Sequence, residues 1–304
     1  MAPITSTQSN TRPVLPKRSP LRAFFVSGRG DSSFRRLWIN AILIVACVIA
    51  VYPALRVFTI SLRPGNQLLS TSLDIIPQDA TLQNYARLFT EKPFFVWVWN
   101  SILVTAVVAT IGVALAATSA YAFSRWKFRG RGAGLVFLLT TQMIPAGMLL
   151  IPIFLLLARL QLLNTYRGLV LAYIVSAIPF SIWILKGYYD TIPIDLEESA
   201  MIDGASRLGT FTRIVLPLST PALAIIFLFN FMQAWQEFPV VYRIITKDTL
   251  WTWTLGVKAM QGQFQTEWGM YAAASFLIMI PVLLLFLYSA KWLISGLTLG
   301  SVKG

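Results

Sequence analysis

Three polar side chains inside an otherwise apolar run, Asn230, Gln233 and Glu237, have types and spacing that permit chemistry within a membrane. Gaps of three and four residues place them on one face of a helix. Two amides and a carboxylate there are candidates for lining a translocation path. They serve equally as interhelical hydrogen-bonding groups, worth about 0.6–2 kcal/mol each. A second set is acidic: Glu197, Glu198 and Asp203 lie in EESAMIDGASRLGTFTRIVLP, Glu197 to Pro217, a Gly-punctuated segment between two long apolar runs. Carboxylates are poorly placed against anionic lipid headgroups but well placed against a basic notch on a protein partner. The alternative is a solvated loop held by its own capping. The chain has no histidine, no GxxxxGK phosphate loop, no paired cysteines and no intramembrane acidic cluster. Metal catalysis and proton relays therefore lack their usual parts, and no catalytic or metal-binding residue is assigned. Ion-driven transport uses ionisable groups at mid-membrane, for which Glu237 is nearly the sole candidate, so energy for any transport comes from elsewhere.

The elements that must position these residues are membrane spans. The 304 residues are 56% hydrophobic and only 12% charged, outside the range of soluble domains. Crossing a bilayer takes roughly 20 apolar residues of helix. Six candidates run Leu37 to Leu62, Val98 to Phe123, Ala133 to Ala158, Leu169 to Tyr188, Pro221 to Tyr242 and Gly269 to Trp292. The expected fold is all-α: a polytopic membrane protein with six transmembrane helices and a cytoplasmic helical loop over 189–220. A Pro-, Ser- and Arg-rich N-terminal tail, 1–36, is expected to be disordered and cytoplasmic; 37–292 form the span domain and 293–304 a cytoplasmic tail. A cleaved signal peptide is not expected, because the first apolar run is too long. Placing both termini inside puts 16 Lys and Arg on the cytoplasmic side and 8 outside, with Arg56 near the outer end of the first span. The +13 charge thus reads as a topology signal and an attraction to membrane lipid, not as a nucleic-acid footprint. The lone Cys47 falls within the first span and forms no intrachain disulfide. Pro145, Pro152, Pro179 and Pro281 are expected to kink or interrupt their helices. The small-residue run Gly112 to Ala122 suits close helix packing.

Within the acidic segment, Asp195 and Glu198 are spaced as a capping box that starts a short helix, with Asp195 as N-cap. Gly204 can adopt the left-handed conformation that ends it, and Ser206 can cap a second helix running to Val215. Ser219 or Thr220 can then cap the fifth span, with Pro221 in its first turn. A helix this short needs support from another surface.

Those residues resemble the EAA loop of importer-type ABC transporter permeases: Glu198, Ser199 and Ala200, then Gly204, then Ile214, Leu216 and Pro217, with every gap matching and Ser199 in place of an alanine. The resemblance covers about residues 35 to 304. It implies a coupling helix seated in a cleft of a separate ATPase subunit, with Glu198 paired to a basic residue, Gly204 allowing the turn, and Ile214 to Pro217 setting the join to span five. The C-terminal WLISGLTLGSVKG, Trp292 to Gly304, is similar to the tail of maltose-type second permease subunits. This similarity implies that Gly300, Val302, Lys303 and Gly304 contact the ATPases; the other reading is a frayed basic tail. By the same resemblance Gln261, Gly262, Gln263, Phe264 and Gln265 reach into an extracytoplasmic sugar-binding protein. The alternative is an interfacial loop anchored by Trp251, Trp253 and Trp268. The implied assembly contains a second permease subunit and two ATPase subunits in the cytoplasmic membrane. ATP and Mg lie on the ATPases, and no cofactor is bound by this chain. The implied cargo is a maltose or malto-oligosaccharide sugar, with another carbohydrate or a glycerol phosphate as alternatives. Rival classes are an ion-coupled secondary transporter and a non-transporting scaffold.

Overall fold

The computed structural model describes residues 33–64, 76–262 and 266–299. The expectations for the N-terminal tail up to residue 32, for Gln263, Phe264 and Gln265, and for Gly300, Val302, Lys303 and Gly304 therefore lie outside the described residues. The chain divides into two units, Met1–Arg56 and Val57–Gly304. Helix α1, Ser33–Ser61, holds all that is described of the first unit, and Cys47 is exposed on it.

The second unit is built from helices, with no strand among the described residues. It comprises α2 (Gln83–Glu91), α3 (Phe94–Arg125), α4 (Arg131–Thr141), α5 (Ala146–Arg159), α6 (Tyr166–Tyr189), α7 (Asp195–Ile202), α8 (Arg207–Leu218), α9 (Thr220–Gln236), α10 (Pro239–Ile244), α11 (Trp253–Ala259) and α12 (Trp268–Leu299). The α1, α3, α6 and α12 helices are each long and apolar enough to cross a membrane; the pairs α4–α5 and α8–α9 bring the total to six spans if each bent pair counts as one. Helix α3 has 32 residues, about 48 Å at 1.5 Å per residue, against a hydrocarbon core of about 30 Å. It therefore extends past the hydrocarbon core on at least one side.

Two spans differ from the expected continuous rods. The third bends by 101° between α4 and α5. Pro145 at this break lacks an N–H and disfavours helix in the residue before it, and the Thr140 and Thr141 hydroxyls donate back to the carbonyls of Phe137 and Leu138 at 2.8 and 2.7 Å. The fifth ends at Gln236 rather than Tyr242, and the chain turns at Glu237 into α10. Pro152, Pro179 and Pro281, by contrast, sit within uninterrupted helices. Helices α2 and α11, in the connecting segments, have no counterpart in the sequence expectation.

Packing explains the arrangement of α3, α6 and α9. Ala116, Ala117 and Ala120 of α3 are buried against Ile182, Leu185 and Tyr189 of α6 and Ile226 of α9. The small-residue run is thus spent on contacts within the chain. A Cβ at Gly112 would come within 3.0 Å of Asn230 Nδ2, so the close crossing of α3 and α9 is set by that glycine. The turn from α5 into α6 carries Gln161 and Asn164 at φ 56° and 54°. Asparagine tolerates this conformation, and its side-chain oxygen accepts from the Thr246 and Lys247 amides at 2.6 and 3.1 Å. That turn is thereby tied to the strand-like exit from α10.

Candidate functional site

At one end of the bundle, α7 and α8 form the elbow expected of the Glu197–Pro217 segment. Gly204 adopts φ +89°, the left-handed conformation that ends α7, and its amide donates to the Met201 carbonyl at 3.1 Å. Ser206 caps α8, its Oγ accepting from the Gly209 amide at 3.1 Å. The capping box does not form. Asp195 is already the first helical residue, Ile194 occupies the cap position, and no side chain caps α7. Three acids, Asp195, Glu197 and Glu198, still fall in the first turn, where the helix dipole favours negative charge. Ser219 and Thr220 likewise do not cap α9; their hydroxyls donate backward to the Val215 and Pro217 carbonyls. Helix α8 widens to a π-helix over Phe211–Val215 and meets α9 at 76°.

Glu197 corrects the expectation that the acidic residues of α7 all face a partner. It is 3% exposed and pairs inside the chain. Arg125 Nε donates to its Oε1 at 2.6 Å and the Tyr121 hydroxyl to its Oε2 at 2.7 Å. Arg125 also donates to the Ile192 carbonyl at 3.1 Å and to Ser124 Oγ at 3.1 Å. Ser124 Oγ donates to Asp190 Oδ1 at 2.7 Å, and Lys186 Nζ reaches Asp190 Oδ2 at 2.5 Å. Burial alone would raise the Asp190 carboxyl, but the hydrogen bonds from Lys186 and Ser124 outweigh it and hold this group below the usual carboxylate range. Glu197 turns inward to the Arg125 and Tyr121 donors, and the Tyr121 ring is itself held against Phe211 with centroids 4.6 Å apart.

The opposite face of α7 is left open. Glu198 and Ser199 are exposed, Ala200 is half-buried, and Asp203 and Gly204 are exposed at the turn. Around them Ile194, Met201, Ile202 and Leu208 present apolar surface, with Ile202 87% and Leu208 71% exposed. Of the remaining motif residues, Ile214 and Leu216 are half-buried and Pro217 is exposed at the elbow.

In the bundle interior, Asn230, Gln233 and Glu237 line one cavity with Tyr173 and Ser176 of α6 and Ala146 and Leu149 of α5. Its volume is ≈ 90 Å³. That holds several waters at about 10–15 Å³ each but no sugar ring. Helix α9 has 17 residues, about 25 Å, shorter than an apolar layer of about 30 Å, so a span built on it has to include the break at Glu237. Irregular backbone at such depth has to line a cavity or lie in protein. Glu237 repairs the break: its carboxylate accepts from the Val240 amide at 3.0 Å and the Val241 amide at 3.3 Å, and its carbonyl accepts from Thr254 Oγ1 at 3.2 Å. Asn230 is 1% exposed; its Oδ1 accepts from Ser181 at 3.0 Å, while its Nδ2 has no partner. Gln233 is exposed at the cavity edge.

At the far end, Gln261 is engaged within the chain, accepting from Lys258 Nζ at 2.6 Å and donating to the Tyr271 hydroxyl at 3.1 Å, and Gly262 is exposed. Arg87 forks between Glu91 and Glu267, clamping α2 to the base of α12. Trp251 and Trp253 are half-buried against Trp97 and Trp235, so they pack on the protein as well as bordering it.

Sequence reading missed Arg125, Tyr121, Asp190 and Tyr173. In sequence Arg125 carries only the signal of a basic loop, although Tyr121 stands four residues before it on the same helix face.

Membrane-length helices with an internally braced elbow between two of them belong to a multi-pass membrane protein. The family model for the inner membrane component of binding-protein-dependent transport systems matches residues 109–298, and the chain belongs to that family. It is a permease subunit of an ABC importer, located in the inner membrane, and ATP hydrolysis resides on a separate subunit. It is 36% identical over 282 residues to the maltose/maltodextrin transport system permease protein MalG of Yersinia pestis, covering 86% of this chain and 92% of that one. It is 33% identical over 273 residues to the diacetylchitobiose uptake system permease protein DasC of Streptomyces coelicolor, covering 90% and 99%. Its fold matches a bacterial ABC transporter involved in the import of the acidic polysaccharide alginate, with a TM-score of 0.74 at 23% identity over 87% of this chain and 99% of that one.

Proposed function

We propose that this permease is one of two in an ATP-driven importer that receives a maltose-type oligosaccharide from an extracytoplasmic binding protein. The named relatives support a neutral oligosaccharide; diacetylchitobiose is the alternative cargo, because one relative carries that name. The observation that carries the reading is the open face of α7. Apolar side chains as exposed as Ile202, grouped around a carboxylate at a polar end of the bundle, mark a protein docking surface. Two ATPase subunits, holding ATP and Mg, complete the motor. One of them takes α7 as a coupling helix, with Ile194, Met201 and Ile202 in an apolar cleft and Glu198 against a basic residue at its edge. The small Ser199 and Ala200 permit close approach, Asp203 and Gly204 form the rim, and Ile214, Leu216 and Pro217 carry the displacement to α9. Both termini are cytoplasmic by the distribution of basic residues, and Gly300, Val302, Lys303 and Gly304 add a second ATPase contact. On the outer side Gln261 to Gln265 meet the binding protein, and Asn230, Gln233 and Glu237 line the path.

The test is purification of the chain from its native membrane with identification of its partners, followed by ATPase assays with binding protein loaded with maltose or with diacetylchitobiose. Recovery of an ATPase and a sister permease, with stimulation by one loaded form, is the expected result and assigns the cargo. Isolation of the chain without an ATPase overturns the reading.

A further inference from the structure

The polar network behind α7 ties α7 and the adjoining end of α6 to the end of α3, whose Arg125 stands 72 residues before Glu197. Glu197 of α7, Arg125 and Tyr121 of α3, and Asp190 and Lys186 at the end of α6 form one hydrogen-bonded belt, closed by Ser124 and the Ile192 carbonyl. The two charged groups at its centre are nearly dry, with side-chain exposures of 9% for Arg125 and 5% for Glu197. Separating such a pair leaves a buried unpaired charge, so the belt resists opening. The other exit from α7 is of different construction. It runs through Gly204, the π-helix Phe211–Val215 and the 76° elbow at Ser219. Left-handed glycine turns and π-segments are places where a helical path can bend.

We propose that the Glu197–Arg125 belt makes α7, the end of α3 and the end of α6 a single rigid body, and that α9, which packs on α3 and α6, slides along them by bending at the elbow. Glu197 and Arg125 are then positioning residues: they touch neither nucleotide nor sugar, but they fix the docking face for the force it receives. A displacement of α7 moves α3 and α6 without loss and moves α9 by bending. This inference rests on the coupling role proposed for α7.

The experiment uses the assembled transporter in lipid vesicles, in a Cys47→Ser background, with spin-label pairs at Asp195→Cys with Thr118→Cys and at Asp195→Cys with Phe229→Cys. With ATP and loaded binding protein, the α7–α3 distance is expected to stay constant while the α7–α9 distance shifts. Equal shifts in both pairs overturn the proposal. In the same vesicles Glu197→Gln is expected to lower sugar moved per ATP hydrolysed about tenfold, within the range of coupling between distant sites, and to broaden the α7–α3 distance distribution. An unchanged transport-to-hydrolysis ratio with a sharp distribution overturns it. Should Glu197→Gln not assemble, Tyr121→Phe removes a single hydrogen bond and is read by the same ratio, with a smaller fall expected and no fall counting against the belt. The double exchange Glu197→Arg with Arg125→Glu is expected to restore part of the ratio, which loss of folding alone does not predict. Wild-type complex that lacks an ATPase would instead overturn the coupling role and, with it, this inference.

Discussion

Two polar clusters lie at different depths of the same bundle and are finished in opposite ways. At the α7 end every oxygen of Glu197 has a donor, and the neighbouring charges of Arg125, Asp190 and Lys186 are matched within the chain. In the interior cavity Asn230 Nδ2 is buried without a partner. A fully satisfied network in a low dielectric is stiff, because opening any bond strands a polar group. A partly satisfied one is left with hydrogen-bonding capacity that water or a passing solute can use. The first cluster is therefore a structural brace, while the second keeps hydrogen-bonding capacity beside a cavity.

The sharpest test of that contrast is to strip one charge from the closed cluster. Arg125→Ala is expected to destabilise the subunit by about 3–5 kcal/mol, seen as lost assembly or a large drop in thermal midpoint, because Glu197 is left buried and unpaired. Replacing both partners by apolar residues, as in Arg125→Met with Glu197→Leu, is expected to recover most of that stability, since packed apolar groups of similar volume substitute well for a buried pair. Failure of the double variant to recover would mean that the belt contributes more than charge balance.

Glu198, one position along, is expected to behave differently. Glu198→Lys leaves the stability within about 0.5 kcal/mol of wild type, as for other surface changes. It nevertheless abolishes binding-protein-stimulated ATP hydrolysis by charge reversal at the docking face; hydrolysis at the wild-type rate would remove Glu198 from that role. In the open cluster Asn230→Leu is expected to cost less than about 1 kcal/mol, since it removes an unsatisfied donor while Ser181 keeps its bond to the Ala177 carbonyl. Transport, measured as sugar uptake, should still fall. A large stability loss there would show that Asn230 is an interhelical strut.

The smallest effect belongs to the rim of the belt. Asp190 has a depressed carboxyl pKa, so its contribution is present above the ordinary carboxylate pKa and is lost only as pH falls through its lower folded value. Stability from this group is therefore flat between about pH 5 and 8. Asp190→Asn should lower the midpoint slightly, as expected of a half-exposed pair worth about 1 kcal/mol at most. The difference from wild type should vanish in acid.

Much of this architecture was legible in advance, for identifiable reasons. Runs such as Phe94 to Arg125 announce spans because twenty apolar residues have few other uses. Gly204 and Ser206 were readable because a left-handed turn and an N-cap each demand particular residue types. Asn230, Gln233 and Glu237 were placed together by spacing, and they do line one cavity. The breaks were less visible. Pro145 signalled one, but Pro152, Pro179 and Pro281 carry the same signal inside continuous helices, because neighbouring groups can absorb the missing bond. Pro239 marks the break after Glu237, because proline opens a helix and disfavours one through the residue before it, but spacing alone does not show that the Glu237 carboxylate caps α10.

What the sequence determined by itself was the membrane class, the six apolar stretches, and a short acidic helix followed by a glycine turn, since each follows from composition or from the conformational needs of single residues. The tertiary structure alone decided which of two adjacent glutamates is bound inward and which looks out. Glu197 and Glu198 stand about 100° apart around α7, and eight residues with polar groups on all sides carry no phase of their own. Contact with Tyr121 and Arg125, more than seventy residues earlier in the chain, supplies that phase, and such a pairing exists only once α3 and α7 have packed.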